Sequence, residues 1–171
     1  VTSLANLAIA SLSSTMTVFS GQNLGAGNYR RLCRSAWLIP LSAGAITLSA
    51  GILVTIFCNP LLALFTHDTA VLAFATRYIH IVLPFTWMYA IMNVIMCFAN
   101  GIGEIKYPTI VNLFILWGVR IPVAYLLSRL GYGGYAMASV PLSFLAGMIL
   151  MLFYFRTKRW AKLCALAKNE P

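Results

Sequence analysis

GQNLGAGNYRR, residues 21–31, decides how the rest of this 171-residue chain is read. It closes a stretch of 29 residues without a charge, Val1 to Tyr29, with a run of glycines and then the basic pair Arg30 and Arg31. Glycine permits a tight reversal, and arginine at the end of an apolar run marks a chain leaving a bilayer on its cytoplasmic side. Further charge-poor hydrophobic stretches follow, and basic residues fall almost entirely on alternate connections. The solvent for this chain is lipid.

Composition agrees. Hydrophobic residues make up 61% of the chain and charged residues 9%, against roughly a quarter charged in soluble domains. Twelve Lys and Arg against three Asp and Glu give a net charge of +9. A nucleic-acid binder would spread such charge along one face. Here it clusters at the ends of apolar runs, where anionic inner-leaflet lipid attracts it. The bilayer is thus the expected partner, and nucleic acid is not. The four cysteines form no CxxC and no Cys/His cluster, so neither a metal site nor a disulfide framework is expected.

A membrane-crossing helix needs about 20 predominantly apolar residues. Five stretches qualify, at about 1–20, 35–58, 78–100, 108–128 and 135–155. Strict alternation, the mark of a barrel strand, is absent from all of them. The expected fold is an all-α integral membrane protein of five transmembrane helices. Pro40, Pro84, Pro122 and Pro141 each fall within a span, which membrane bundles tolerate where neighbours re-satisfy the freed carbonyls. Between the second and third spans, 59–75 reads as a break followed by a short amphipathic helix with Asp68 in its first turn. The segment 161–171 reads as a basic cytoplasmic tail behind Trp160.

Orientation follows from counting. One side receives Arg30, Arg31, Arg34, Lys106, Arg156, Lys158, Arg159, Lys162 and Lys168; the other receives Arg77 and Arg129. Nine against two places the C-terminus in the cytoplasm. Five spans then put the first residue outside. With no initiator Met, signal peptide or polar lead-in, the simplest expectation is that upstream helices of the same polypeptide precede Val1.

Three motifs carry a family resemblance: GQNLGAGNYRR at 21–31, GIGEIKYP at 101–108 and WGVRIPVAYLL at 117–127. With LLALFTHD at 61–68 and the Arg-rich tail, they resemble the C-terminal half of a multidrug and toxic compound extrusion transporter. The resemblance covers residues 1 to about 160. It implies twelve helices in two six-helix lobes, of which this chain supplies most of one lobe, in a bacterial-type inner or plasma membrane. It further implies export of small amphipathic organic cations by antiport with H⁺ or Na⁺ and no other cofactor. Two alternatives stay open. One is flipping of a lipid-linked or other amphipathic metabolite on the same fold; the other is a truncated remnant without transport of its own.

In the loop motif, Gly21, Gly25 and Gly27 read as turn glycines. Gln22 and Asn23 read as partners for exposed backbone groups there, and Arg30 as a phosphate contact. At about 100° per residue, Thr2, Ser3, Asn6, Ser13, Thr17 and Ser20 share one third of the first helix. Such a stripe lines a wet cavity or packs against another helix. On the third helix Thr86, Tyr89, Asn93 and Asn100 share a face with Met96. Amides in lipid are costly, so this face is expected to look inward. Together with aromatic and Met surface it suits a cavity for amphipathic cations.

Arg120 lies roughly 8 residues, about 12 Å, from the outer end of its span. A mid-helix Arg costs about 2.5–3.5 kcal/mol on insertion scales, which makes Arg120 a structural, snorkelling residue or a gating charge. Pro122 frees the Gly118 carbonyl one turn back. His67 and His80 have no carboxylate or second His at useful spacing. Three acids and two histidines provide too few convergent groups for an enzyme, and no catalytic residue is assigned. The acids Asp68, Glu104 and Glu170 all fall on connections or the tail. Some members of the resembled family carry an Asp in this third helix, where Tyr89 stands here.

Overall fold

A computed structural model describes residues 2–58, 69–130 and 137–155, together with Leu62, Trp160 and Lys162. Its elements are α1 (Thr2–Gly25), α2 (Tyr29–Ile56), α3 (Thr69–Val82), α4 (Thr86–Gly101), α5 (Lys106–Leu113), α6 (Ile121–Arg129) and α7 (Ser139–Tyr154). No strand occurs among the described residues. Three helices are long and apolar enough to cross a membrane: Tyr29–Ile56, Val71–Gly101 and Lys106–Arg129. α1, at 24 residues, has comparable length. α7 is a shorter apolar helix. The fold is all-α and built for a bilayer, where the backbone must satisfy its hydrogen bonds internally.

Helix ends and membrane edges differ, and the loops are shorter than an apolarity count suggests. Gly21 and Gly25 belong to α1, and α2 already begins at Tyr29, so Arg30, Arg31 and Arg34 sit on helix. At 28 residues, about 42 Å, α2 outreaches a hydrocarbon core of about 30 Å and can carry its basic first turns at headgroup depth. The reversal is confined to residues 26–28, closed by amides of Ala26 and Asn28 donating to the Gln22 and Asn23 carbonyls at 2.9 Å each. Gly27, at φ 73°, supplies the left-handed residue that closure needs. Gly103, at φ 84°, does so between α4 and α5.

The short helix expected to lie within 59–75 instead runs on to Val82. α3 continues into α4 through one 3₁₀ turn, Leu83–Phe85, which accommodates Pro84. Pro122 is handled differently: residues Phe114–Arg120 form π-helical turns, and the Ile121 amide donates to the Leu116 carbonyl five residues back. A proline ring displaces the carbonyl four residues before it, and widening to π geometry absorbs the displacement. His67, Asp68 and the tail beyond Lys162 lie outside the described residues, while 69–75 of the expected short helix form the first half of α3.

Antiparallel connection gathers Arg30, Arg31, Arg34, Lys106 and Lys162 at one end of the bundle and leaves Arg77 and Arg129 towards the other. At the basic end Trp37 stacks on Phe155 at 4.5 Å, and Trp160 meets Phe98 edge-on at 5.5 Å. There the Tyr107 hydroxyl donates to the Leu150 carbonyl at 2.7 Å, tying α5 to α7. α4 runs through the middle, packed by α1, α2 and α7, and buries Met92, Val94, Ile95, Phe98 and Ala99. Large apolar side chains face outward on α2 and on Lys106–Arg129, among them Leu41, Ile52, Leu113, Trp117 and Leu126. In water such surface would aggregate; it suits lipid or the apolar faces of further membrane helices.

Candidate functional site

The polar face of α4 is organised around Asn93. The Ser13 hydroxyl of α1 donates to Asn93 Oδ1 at 2.8 Å, and Asn93 Nδ2 donates to the Tyr89 hydroxyl at 3.2 Å. Thr17 Oγ1 lies 3.2 Å from the carbonyls of both Ser13 and Cys97. The α1 stripe is therefore a helix–helix seam along most of its length, as small hydroxyl residues in membrane helices often are. Ser20 continues it, buried and bonded to the Met16 carbonyl at 2.6 Å. Next to it sits Gly101, where an added Cβ would lie 2.5 Å from the Thr17 carbonyl. No side chain fits between α1 and α4 there. The side chain of Ser3 lies outside the described residues.

Two cavities flank this polar link. The outer one, about 230 Å³, is bordered by Asn6 of α1, Tyr78 of α3, Thr86 and Tyr89 of α4, Arg120 and Phe144 of α7. The Tyr89 and Phe144 rings lie 5.0 Å apart, and the Thr86 hydroxyl is committed to the Val82 carbonyl at 3.3 Å. The second, about 490 Å³ and towards the basic end, is bordered by Asn93, Met96, Cys97, Asn100, Thr109 and Asn112. Every residue expected on the third-helix face thus borders one cavity or the other. Tyr89 faces one and Asn93 the other, and the hydrogen bond between them joins the two.

The loop motif divides by role. Gly21 sits against the Gly101 carbonyl, 3.3 Å from where its Cβ would be, so it serves helix packing. Asn23 is buried and donates to the Phe19 carbonyl of its own helix at 2.8 Å. Gln22 is exposed and borders, with Ser14 and Thr15, a groove of about 420 Å³ on α1. Gly25 ends α1 with open space around it, and Arg30 is exposed on the first turn of α2. His80 is exposed, with Nδ1 2.8 Å from the Thr76 carbonyl. The described residues contain no group of three or more His, Cys, Asp or Glu arranged to hold a metal.

Sequence reading missed Tyr78, Asn112, Thr109 and the Ser14–Thr15 row. Asn112 carried a usable signal, a lone amide inside an apolar span. Tyr78 carried one too: it stands eleven residues before Tyr89, about three helical turns, so on a helix running from α3 into α4 the two share a face.

The MatE sequence profile matches residues 1–126. This chain belongs to the MatE family. It is similar to the probable multidrug resistance protein YoeA of Bacillus subtilis (strain 168), 27% identical over 91% of this chain and 34% of that protein. It is also similar to the probable multidrug resistance protein NorM of Thermotoga maritima, 24% identical over 99% of this chain and 37% of that protein. A third relative, the uncharacterized transporter YisQ of Bacillus subtilis, is 28% identical over 77% of the chain and 29% of its own length. The chain thus spans about a third of the length of these relatives. No solved structure gives a significant match. MatE members are transporters, and with its apolar helices this chain is part of a multi-pass membrane protein.

Proposed function

We propose that the transporter carrying this lobe exports small amphipathic organic cations by antiport with H⁺ or Na⁺, two lobes opening alternately to each side of the membrane. The observation that carries this reading is the α4 face of Tyr89, Asn93 and Met96, set between two cavities in a chain whose relatives are named for multidrug resistance. The larger cavity, at about 490 Å³, falls within the usual range for organic ligands of roughly 300–1,000 Å³. On that larger cavity the polarisable Met96 and the amides of Asn93 and Asn100 can meet a cation without demanding one shape. The basic end, richer in Lys and Arg, faces the cytoplasm of a bacterial-type inner or plasma membrane.

Coupling rests on an acid outside this chain. Moving H⁺ or Na⁺ needs a carboxylate shielded at membrane depth. Among the described residues the one acid is Glu104, at the turn between α4 and α5. Flipping of a phosphate-bearing amphiphile is the second reading, and Arg120 on a cavity wall is the observation that favours it. The test is ethidium efflux from proteoliposomes holding the complete transporter under an imposed H⁺ or Na⁺ gradient. Gradient-dependent efflux is expected; equal rates with and without either gradient contradict the reading. The 171-residue chain alone is expected to show no gradient-dependent transport.

A further inference from the structure

The outer cavity holds donors in excess of acceptors. Arg120 is half-buried at its wall and has no hydrogen bond or ion pair among the described residues. The Tyr89 hydroxyl accepts from Asn93, so its own proton has no acceptor among those residues. The hydroxyl of Tyr78 and the amide of Asn6 border the same space, also without hydrogen bonds among the described residues. Thr86 has spent its proton on Val82. Among the described residues no carboxylate borders the cavity.

A guanidinium at membrane depth is costly unless something of opposite sign meets it. None of the described residues bordering this cavity supplies that charge. At about 230 Å³ the space is also below the usual size for a drug-like ligand. We infer that the cavity beside Arg120 binds a monovalent anionic group, a halide or a carboxylate, and excludes cations. Arg120 supplies the charge; Tyr89 and Tyr78 donate hydroxyl protons to the same ion, and charge-assisted hydrogen bonds of this kind are the strong ones. Through Tyr89 the ion would also be felt at Asn93, on the wall of the larger cavity. The inference does not depend on what the transporter exports, because binding alone reads it out.

The complete transporter is purified in detergent and titrated with chloride at constant sodium and ionic strength, with methanesulfonate, neither a halide nor a carboxylate, as the balancing anion. Thermal stability is the readout, and benzoate replaces chloride in a second series. Saturable stabilisation by chloride identifies a free halide as the occupant. Stabilisation by benzoate without chloride identifies the carboxylate of a larger solute. In either case Arg120→Gln should weaken apparent affinity by about tenfold or more, Arg120→Lys by less, and Tyr89→Phe by about three- to tenfold. Tyr89→Phe removes one donor and no charge, so it decides the matter if the Arg120 variants fail to accumulate. The inference is overturned if neither anion stabilises the wild type saturably, or if these variants respond as the wild type does. Saturable stabilisation by sodium at constant chloride, lost in Tyr89→Phe, would also overturn it.

Discussion

Val71–Gly101 and Lys106–Arg129 have nearly the same mean hydropathy over their most apolar windows, 1.8 and 1.9, and each carries a proline in mid-course. Half of the first window is buried inside the protein, against 11% of the second. Overall apolarity therefore decides that a helix enters the bilayer and says nothing about where it sits in the bundle. Position is decided by what is small or polar along one face. The central helix offers Asn93 to Ser13 and Gly101 to Thr17 and Ser20. The outer helix leaves Trp117, Leu113 and Leu126 exposed. Their prolines follow the same division, a tight 3₁₀ turn in the packed helix and a widened π stretch in the exposed one.

The largest expected effect comes from adding one methyl group to each helix. Gly101→Ala places a Cβ 2.5 Å from the Thr17 carbonyl, which is backbone and cannot step aside. It should cost about 1–3 kcal/mol. In Gly118→Ala the nearest atoms belong to the Phe114 ring at 3.1 Å, which can swing towards lipid, so the cost should stay under about 0.5 kcal/mol. Thermal unfolding of the complete transporter in detergent checks the pair, and equal shifts would break the comparison.

A smaller contrast is expected from the amides. Asn93→Leu removes the bonds to Ser13 and Tyr89 and should cost about 1 kcal/mol, the scale of interhelical hydrogen bonds in membranes. Asn112→Leu, on the exposed side of the outer helix, should be neutral or slightly stabilising by the same measurement. A double variant of Ser13→Ala with Asn93→Leu sharpens this: costs that simply add would show that the two side chains are uncoupled.

Much of this contrast was legible before any coordinates. The 3.6-residue spacing of Thr86, Tyr89, Asn93, Met96 and Asn100 sufficed to set one face of α4 inward, because an amide in lipid is costly whatever surrounds it. The stripe on α1 was equally visible, but its use was not. Ser and Thr serve a cavity and a packing seam alike, and only the position of α4 shows Ser13 and Thr17 bonded across while Asn6 opens to the outer cavity. Gly21 was read as a turn residue because glycine signals a turn and a close helix contact with the same letter. Charge did not mark a helix boundary, since Arg30, Arg31 and Arg34 are helical. The π stretch before Pro122 left no trace beyond the proline itself.

The central claim is that the inward face of α4 borders the path of the exported compound, and one measurement reaches it most directly. Tyr89→Ala, Asn93→Ala and Met96→Ala are compared with Trp117→Ala in the complete transporter, with efflux of several amphipathic cations normalised to protein in the membrane. The three α4 variants should reorder substrate preference, by about threefold or more between substrates, while Trp117→Ala leaves the order unchanged. Equal loss for every substrate, in step with protein level, would show that this face only packs.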